Sequence, residues 1–324
     1  MKVGLTYDLR QDYLDRGFGE EETAEFDSPE TIEALEDVLA SFGYAVERIG
    51  NIEQLAAALV AGRRWDLVFN IAEGLRGIGR EAQVPALLDA YDIPYTFSDP
   101  LVAALTLDKG MTKRIIRDLG LRTPAFAVIA VPKDLVEISL HYPLFAKPLA
   151  EGTGKGVSAL SKIETPEALE RTVVDLLKRY KQPVLVEEYL PGREFTVGLV
   201  GTADRARVIG VMEVILLETA ERNAYSFHNK ENWVGLVEYE MRDDELGRRC
   251  SELSLAAWRG LGCRDGGRID VRLDADGHPS FIEVNPLAGI NPHHSDLPML
   301  AGKVGISFPQ LIRWIVDSAL ERVA

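Results

Sequence analysis

Polar and apolar residues alternate along Gly267-Arg268-Ile269-Asp270-Val271-Arg272-Leu273 and again along Phe281-Ile282-Glu283-Val284-Asn285. A period of two marks strands that keep one face toward a core. Asp274-Ala275-Asp276-Gly277 between them is turn chemistry. A loop over Ala275 to His278 then sets Asp270 opposite Glu283 and Arg268 opposite Asn285. Ile282 and Val284 would turn to the other face.

The first third of the chain switches repeatedly between strand and helix periods. Lys2 to Tyr7 reads as a strand. Ser28-Pro29 opens a helix as N-cap and first helical residue. Ile32, Leu35, Val38, Leu39 and Phe42 form its apolar stripe, and Gly43 stops it. Strands follow at Tyr44 to Ile49, Leu67 to Ile71 and Ile93 to Thr96, separated by helices through Leu55 and Leu59 and over Ala82 to Tyr91. This βαβ rhythm predicts an α/β unit with a parallel sheet and ligands beyond the strand C-termini. One helix is expected from about Leu101 to Leu119. Beyond it the order becomes α+β: strands Ala125 to Val131, Leu144 to Lys147, Val184 to Glu187, Glu194 to Val200 and Val208 to Val214, with helices Pro166 to Tyr180, Asp243 to Leu261 and Phe308 to Arg322.

Charge narrows the choice of partners. The 324 residues carry 36 Lys and Arg against 51 Asp and Glu, a net charge of −15. Such a chain repels nucleic-acid phosphates and anionic membranes, so neither is expected as a partner. A bound polyanion would need local cations, which makes each lysine near a glycine-rich loop informative. Two cysteines, Cys250 and Cys263, form no CxxC pair and read as inert core residues. No apolar run approaches a membrane span or a signal peptide, so a reducing cytoplasm is the expectation.

Three stretches carry chemistry. Two carboxylates directly opposite on one sheet face repel each other. A divalent cation between Asp270 and Glu283 would relieve that repulsion, and an oxygen-only set with Asn285 favours Mg2+ over zinc. A solvated hairpin face is the alternative. The loop Lys147-Pro148-Leu149-Ala150-Glu151-Gly152-Thr153-Gly154-Lys155-Gly156 lets backbone N–H groups approach a phosphate, although it is not the GxxxxGK[ST] pattern. The strand exit Glu187-Glu188-Tyr189-Leu190 can offer backbone groups to a planar base, or simply end a strand.

Read in order, Leu107-Asp108-Lys109, Ala146-Lys147-Pro148, Glu151-Gly152, Glu187-Glu188-Tyr189-Leu190, Gly192-Arg193-Glu194-Phe195, Gly267-Arg268-Ile269-Asp270 and Ile282-Glu283-Val284-Asn285 resemble the ATP-grasp carboxylate–amine ligases. The likeness is greatest to the D-alanine–D-alanine ligase family. It implies a Rossmann-like unit over residues 1–100, followed by the two ATP-grasp parts, 101–183 and 184–324. It also implies an ATP-dependent ligase working through an acyl phosphate, with two Mg2+ ions that Mn2+ can replace. Lys109 and Lys147 would meet ATP phosphates under a lid of Glu151, Gly152, Thr153, Gly154 and Gly156. Glu187, Glu188, Tyr189 and Leu190 would line the adenine site, and Glu194 would take the ribose hydroxyls. Asp270, Glu283 and Asn285 would hold the metals. Arg268, Gly289 and the lid lysine Lys230 would stabilise the reacting charge. Ser295, or His294 beside it because of an apparent one-residue insertion, would hold the acceptor carboxylate. Family members are often homodimers, but the chain shows no interface signature.

Departures from the family pattern collect around the acyl donor. Glu73 stands where the family has histidine, Thr153-Gly154 replace a serine pair, and Glu231 replaces a tyrosine. The acidic stretch Glu20 to Glu25 replaces a Glu-Arg-x-Val-Ser segment. The expectation is therefore a retained reaction and a changed donor, with Glu73 or an acid of Glu20 to Glu25 meeting a cationic group. An unaltered D-alanine–D-alanine ligase, a phosphotransferase and a nucleotide sensor are the alternatives.

Overall fold

The computed structural model describes residues 1–217 and 235–323. Three sheets organise it. The first is parallel, in the order β2-β1-β3, from β1 (Lys2–Thr6), β2 (Ala45–Gly50) and β3 (Leu67–Asn70). The second is antiparallel, in the order β4-β7-β5-β6, from β4 (Phe126–Ile129), β5 (Leu144–Pro148), β6 (Lys162–Ile163) and β7 (Val184–Glu188). The third, also antiparallel, runs β10-β9-β8-β11-β12, from β8 (Glu194–Val200), β9 (Arg207–Leu216), β10 (Val237–Met241), β11 (Gly266–Leu273) and β12 (Pro279–Asn285). The expected α/β beginning and mixed continuation are both present.

Helix α1 (Arg10–Asp15) has no counterpart in the sequence expectation. Helix α2 (Pro29–Ser41) begins as expected, with Ser28 Oγ accepting the Thr31 N–H at 3.4 Å and proline in the first turn. Its stripe buries Ile32, Leu35 and Leu39 against Val3, Leu5 and Phe69 of the parallel sheet. Helices α3 (Ile52–Val60) and α4 (Gln83–Ala90) cover the same sheet. Tyr95 adds only a single parallel bridge to Val68, so Ile93 to Thr96 is not a full strand.

The helix expected over Leu101 to Leu119 is two helices, α5 (Pro100–Leu107) and α6 (Lys109–Asp118). Asp108 adopts an extended conformation between them, with ψ 95°. Its carboxylate accepts the Met111 N–H at 2.9 Å. A side chain that caps the new helix thus ends the old one, and the apolar period does not reveal the break. Helix α7 (Pro166–Tyr180) packs on β5 and α8 (Glu245–Leu261) on the third sheet. Helix α9 (Asp296–Lys303) was not anticipated.

The hairpin has the expected register at the residues that matter and a different one nearer its tip. Arg268 pairs with Asn285 and Asp270 with Glu283, but Val271 pairs with Phe281. Ile282 is the extra residue of a β-bulge, which compensates for a loop one residue longer than expected, Asp274 to His278. The bulge also changes where Ile282 points: it lines the same cleft as Glu283 instead of opposing it.

The C-terminal helix α10 (Phe308–Leu320) returns to the start of the chain, burying Leu311, Ile312 and Ile315 in the core of the parallel sheet. Asp265 fastens this junction. It is fully buried and accepts from Phe97 N–H at 2.7 Å, Ser318 Oγ at 2.8 Å and Thr202 Oγ1 at 3.2 Å, and it pairs with Arg322. Cys250 and Cys263 are both buried, as expected, and burial pushes the Cys250 thiol up to about 12. Among the described residues no helix is long and apolar enough to cross a membrane.

Candidate active site

A cleft lies between the two antiparallel sheets. The Asp108 cap places Lys109 at the first turn of α6, aimed into it. Lys147 comes from β5, Glu187 from β7, Asp270 from β11 and Glu283 from β12. Lys147 Nζ is 3.4 Å from Glu283 and 3.5 Å from Glu187, and Lys109 Nζ is 3.8 Å from Glu283. Burial alone would lower Lys147, but Glu187 and Glu283 outweigh it and hold the ammonium well above its usual range. Burial lowers Lys109, with Glu283 only partly opposing it.

Glu187 does not stand open toward the cleft. Its second oxygen lies 2.8 Å from Nζ of Lys113, a fully buried lysine one helical turn past Lys109. Burial would raise the Glu187 carboxyl, yet Lys113 and Lys147 hold it below the usual carboxylate range. It supports Lys147 from beneath, a role that sequence reasoning missed although the i, i+4 spacing of Lys109 and Lys113 was visible.

The other end of the cleft is apolar. The rings of Phe145 and Tyr189 are 6.3 Å apart with planes 28° from parallel, and Val157, Leu190 and Ile282 stand beside them. Arg272 lies 4.9 Å over the Tyr189 ring and donates to its hydroxyl at 2.9 Å, while reaching Glu194 at 3.5 Å. Glu188 accepts the His141 N–H at 3.0 Å and meets its ring Nδ1 at 2.8 Å. A slot between aromatic and aliphatic walls, with an acid at its mouth, suits a planar base followed by a polyhydroxylated group.

The glycine-rich loop is divided between two spaces. Glu151 and Gly154 line the cleft, whereas Gly152 and Thr153 face a second cavity. Gly156 lines neither: a Cβ there would come within 2.6 Å of Pro148, and its φ is +71°. Packing against Pro148 therefore requires glycine there.

The second cavity brings together Arg268, Asn285, Gly289, His294, Ser295 and Glu73, and Lys109 lines both spaces. Arg268 pairs with Asp270 and lies 3.7 Å from Asp296. Burial opposes its charge, but Asp270 and Asp296 keep its pKa far above the usual arginine value. Thr196 Oγ1 donates to the other Asp270 oxygen at 2.9 Å. Ser295 Oγ accepts the Asn291 N–H at 3.0 Å, and Asn291 Nδ2 donates to Thr31 of α2 at 3.0 Å. A Cβ on Gly289 would meet that serine oxygen at 2.8 Å. His294 also lines this wall, without a side-chain partner among the described residues.

The opposite wall is acidic. Glu73 follows β3, Asp27 precedes α2, and Glu81 sits in the 3-10 turn Arg80–Ala82. Burial raises Glu73 well above the usual carboxylate value, reinforced by Glu81 and Glu25; burial with Asp8 does the same to Asp27. Glu81 rises to about 7, burial outweighing the pull of Arg80. Within Glu20 to Glu25, Glu21 meets Tyr180, Glu22 the Gly19 N–H, and Glu25 the glycine-rich loop. Of that expectation Glu73 and Glu25 both line the cavity, and Glu25 is already paired with Arg80 and Lys155. Lys230 falls outside the described residues.

The oxygen-bearing side chains of β11 and β12 suit magnesium. Asp270 and Glu283 face one another in register, and the Asn285 amide nitrogen is buried without a hydrogen-bond partner among the described residues. Turning that amide presents its oxygen instead, giving three hard oxygen donors on neighbouring positions. The set fits the ion.

Two antiparallel sheets closing on a cleft, with Lys109 of α6 and Lys147 of β5 set against the opposed carboxylates of β11 and β12, define an ATP-grasp fold. The family model described as the D-ala D-ala ligase C-terminus matches residues 116–317. A D-alanine–D-alanine ligase of Aquifex aeolicus is 32% identical over 291 residues, covering 89% of this chain and 94% of that protein. An uncharacterized protein of Sinorhizobium fredii is 33% identical over 261 residues, 79% of this chain and 75% of its own. The crystal structure of a D-alanine–D-alanine ligase from Bacillus anthracis shares the fold, with a TM-score of 0.75 at 20% identity over 99% of this chain and 98% of that one. The chain belongs to the D-alanine–D-alanine ligase family, ATP-dependent enzymes that form carbon–nitrogen bonds.

Proposed function

We propose that this protein joins a carboxylate donor bearing an ammonium group to an amino-acid acceptor, driven by ATP, and that its donor is not D-alanine. One observation carries the reading. Lys109 lines both the nucleotide cleft and a cavity whose far wall holds Glu73, Asp27 and Glu81, none with a cation at ion-pair distance among the described residues. The reading assigns the donor wall to residues 1–100 and the two ATP-grasp parts to 101–183 and 184–324.

Charge dictates the chemistry. The donor carboxylate attacks the γ-phosphate, giving an acyl phosphate and ADP; the acceptor amine attacks the acyl carbon, and phosphate leaves. Lys109 and Lys147 would neutralise phosphate oxygens during the first step. Arg268 and the Gly289 N–H would stabilise the negative oxygen of the second, with Lys230 assigned from the resemblance. Ser295 or His294 would fix the acceptor carboxylate, so that its amine approaches in line. Glu73 would hold the donor ammonium. Asp270, Glu283 and Asn285 would hold magnesium, which when bound supplies further charge neutralisation to the phosphate oxygens, with manganese able to replace it. Both substrates are small molecules, and the cytoplasm supplies the nucleotide.

The test is ADP release across pairs of amino acids and small carboxylates, with the product identified by mass. The expected outcome is amine-dependent ADP release that favours donors carrying a basic group. Robust D-alanyl-D-alanine synthesis with little activity on other donors would overturn the altered-donor reading. ADP release without amine would favour a phosphotransferase, and nucleotide binding without turnover a sensor.

A further inference from the structure

Between α1 and α2 the chain sends Glu25 across to the glycine-rich loop. Its side chain is 7% exposed and receives three donors: Gly152 N–H at 2.6 Å, Arg80 Nη2 at 2.9 Å and Lys155 Nζ at 2.9 Å. Lys155 lies 3.2 Å from Glu151, whose other oxygen accepts from Gln182 at 2.6 Å. Arg80 Nη1 donates to the Ala150 carbonyl at 2.8 Å. Each side contributes one acid and one base: Glu25 and Arg80 from the N-terminal part, Glu151 and Lys155 from the loop. The four charges balance, which is the condition for burying such a group.

The contact is also sterically committed. A Cβ on Gly152 would lie 2.4 Å from the Glu25 carboxylate, so a side chain there would push the carboxylate off the loop. Lys155 N–H donates back to the Gly152 carbonyl at 3.0 Å, closing the loop into a tight turn. Glu151, Gly154 and Lys155 of that turn line the nucleotide cleft, while Glu25 and Gly152 line the cavity opposite. The rings of Phe145 on β5 and Tyr189 after β7 make none of the network's contacts.

We propose that Glu25 is a positioning residue for the nucleotide phosphates, holding the Gly152–Lys155 turn closed over the cleft from outside the two ATP-grasp sheets. The inference rests on the nucleotide reading above. Removing the negative charge of Glu25 leaves Arg80 and Lys155 with Glu151 alone, and the turn loses the anchor for its Gly152 N–H. The grip on the phosphates then weakens, while the base slot keeps its shape.

The experiment measures binding of adenylyl imidodiphosphate with magnesium, and of adenosine, to the full chain and to Glu25→Gln by calorimetry. The expected result is about tenfold or greater weakening for adenylyl imidodiphosphate, a substantial part of a typical nucleotide affinity, with adenosine affinity unchanged. Equal affinity of both proteins for the triphosphate analogue, or equal loss for both ligands, would overturn the role given to Glu25. Failure of the unaltered protein to bind the analogue would instead overturn the nucleotide reading. Glu25→Asp keeps the charge and withdraws it by one methylene; it folds with the network neutral and should show the same selective loss to a smaller degree.

Discussion

Asp270 and Glu283 face each other across β11 and β12, and the bulge at Ile282 keeps them in register despite the longer hairpin loop. Like charges in that position destabilise a bare hairpin. Here Arg268, Lys109 and Lys147 surround them. Asp270→Asn removes one metal-binding charge with little change of shape. Turnover should fall by about 10²–10³-fold, the usual scale for losing one fixed electrostatic stabiliser. Adenosine affinity should stay as it is; unchanged ADP release by the variant would remove Asp270 from the metal site.

Arg268 is buried between Asp270 and Asp296 and lies in the substrate cavity. Arg268→Ala should lose turnover on the same scale, about 10²–10³-fold. Binding of ATP should persist, because the base slot and the two lysines are untouched. Steady-state ADP release and calorimetric ATP binding read the two effects separately, and equal turnover would rule out the oxyanion role.

Lys113 has no exposed surface, and Glu187 is its ion-pair partner. Glu187→Gln strands the lysine charge, and breaking a buried pair in this way costs about 3–5 kcal/mol. Urea unfolding should show that loss, and the double variant Glu187→Gln, Lys113→Met should recover most of it. If the single and double variants were equally unstable, Lys113 would not depend on Glu187.

The acidic wall gives a pH signature. The Glu81 carboxyl titrates at about 7, against an ordinary value of 4.5. Its contribution to stability is full below about 4.5 and is lost as the pH rises through 7, because the folded state holds the proton more tightly. Glu81→Gln should remove that loss from unfolding curves measured between pH 4.5 and 8. A cationic donor responds in the opposite sense: its KM should fall as rising pH ionises Glu81. A donor KM flat across this range would count against the acidic wall as the ammonium site. Glu25 behaves the other way from Glu81. It is held at about 2, so its stabilisation, on the order of 3 kcal/mol, is present above about 4.5 and lost as the pH falls toward 2.

The alternation around Asp270 and Glu283 sufficed to read their pairing, because a one-residue slip would turn every core residue of β11 outward. The bulge at Ile282 left no such mark, since an apolar residue fits either face there. The break at Asp108 was hidden for a related reason: buried apolar residues lie on both sides of it, Val102 and Leu107 before and Ile116 after, and only the capping carboxylate shows where the helix restarts. The lysines and carboxylates of the cleft were legible from local motifs. Glu25, Arg80 and Lys155 were not, because the network joins residues 55 and 130 positions apart and depends on how the parallel sheet packs against the glycine-rich loop.

In the proposed reaction ATP activates a donor carboxylate for attack by an amine. The decisive measurement is turnover of a donor labelled with 18O in both carboxylate oxygens. One labelled oxygen should pass into inorganic phosphate for each amide formed, because the oxygen that attacked the γ-phosphate leaves with it. Phosphate free of label, with both labelled oxygens retained by the donor or lost only to water, would contradict the claim.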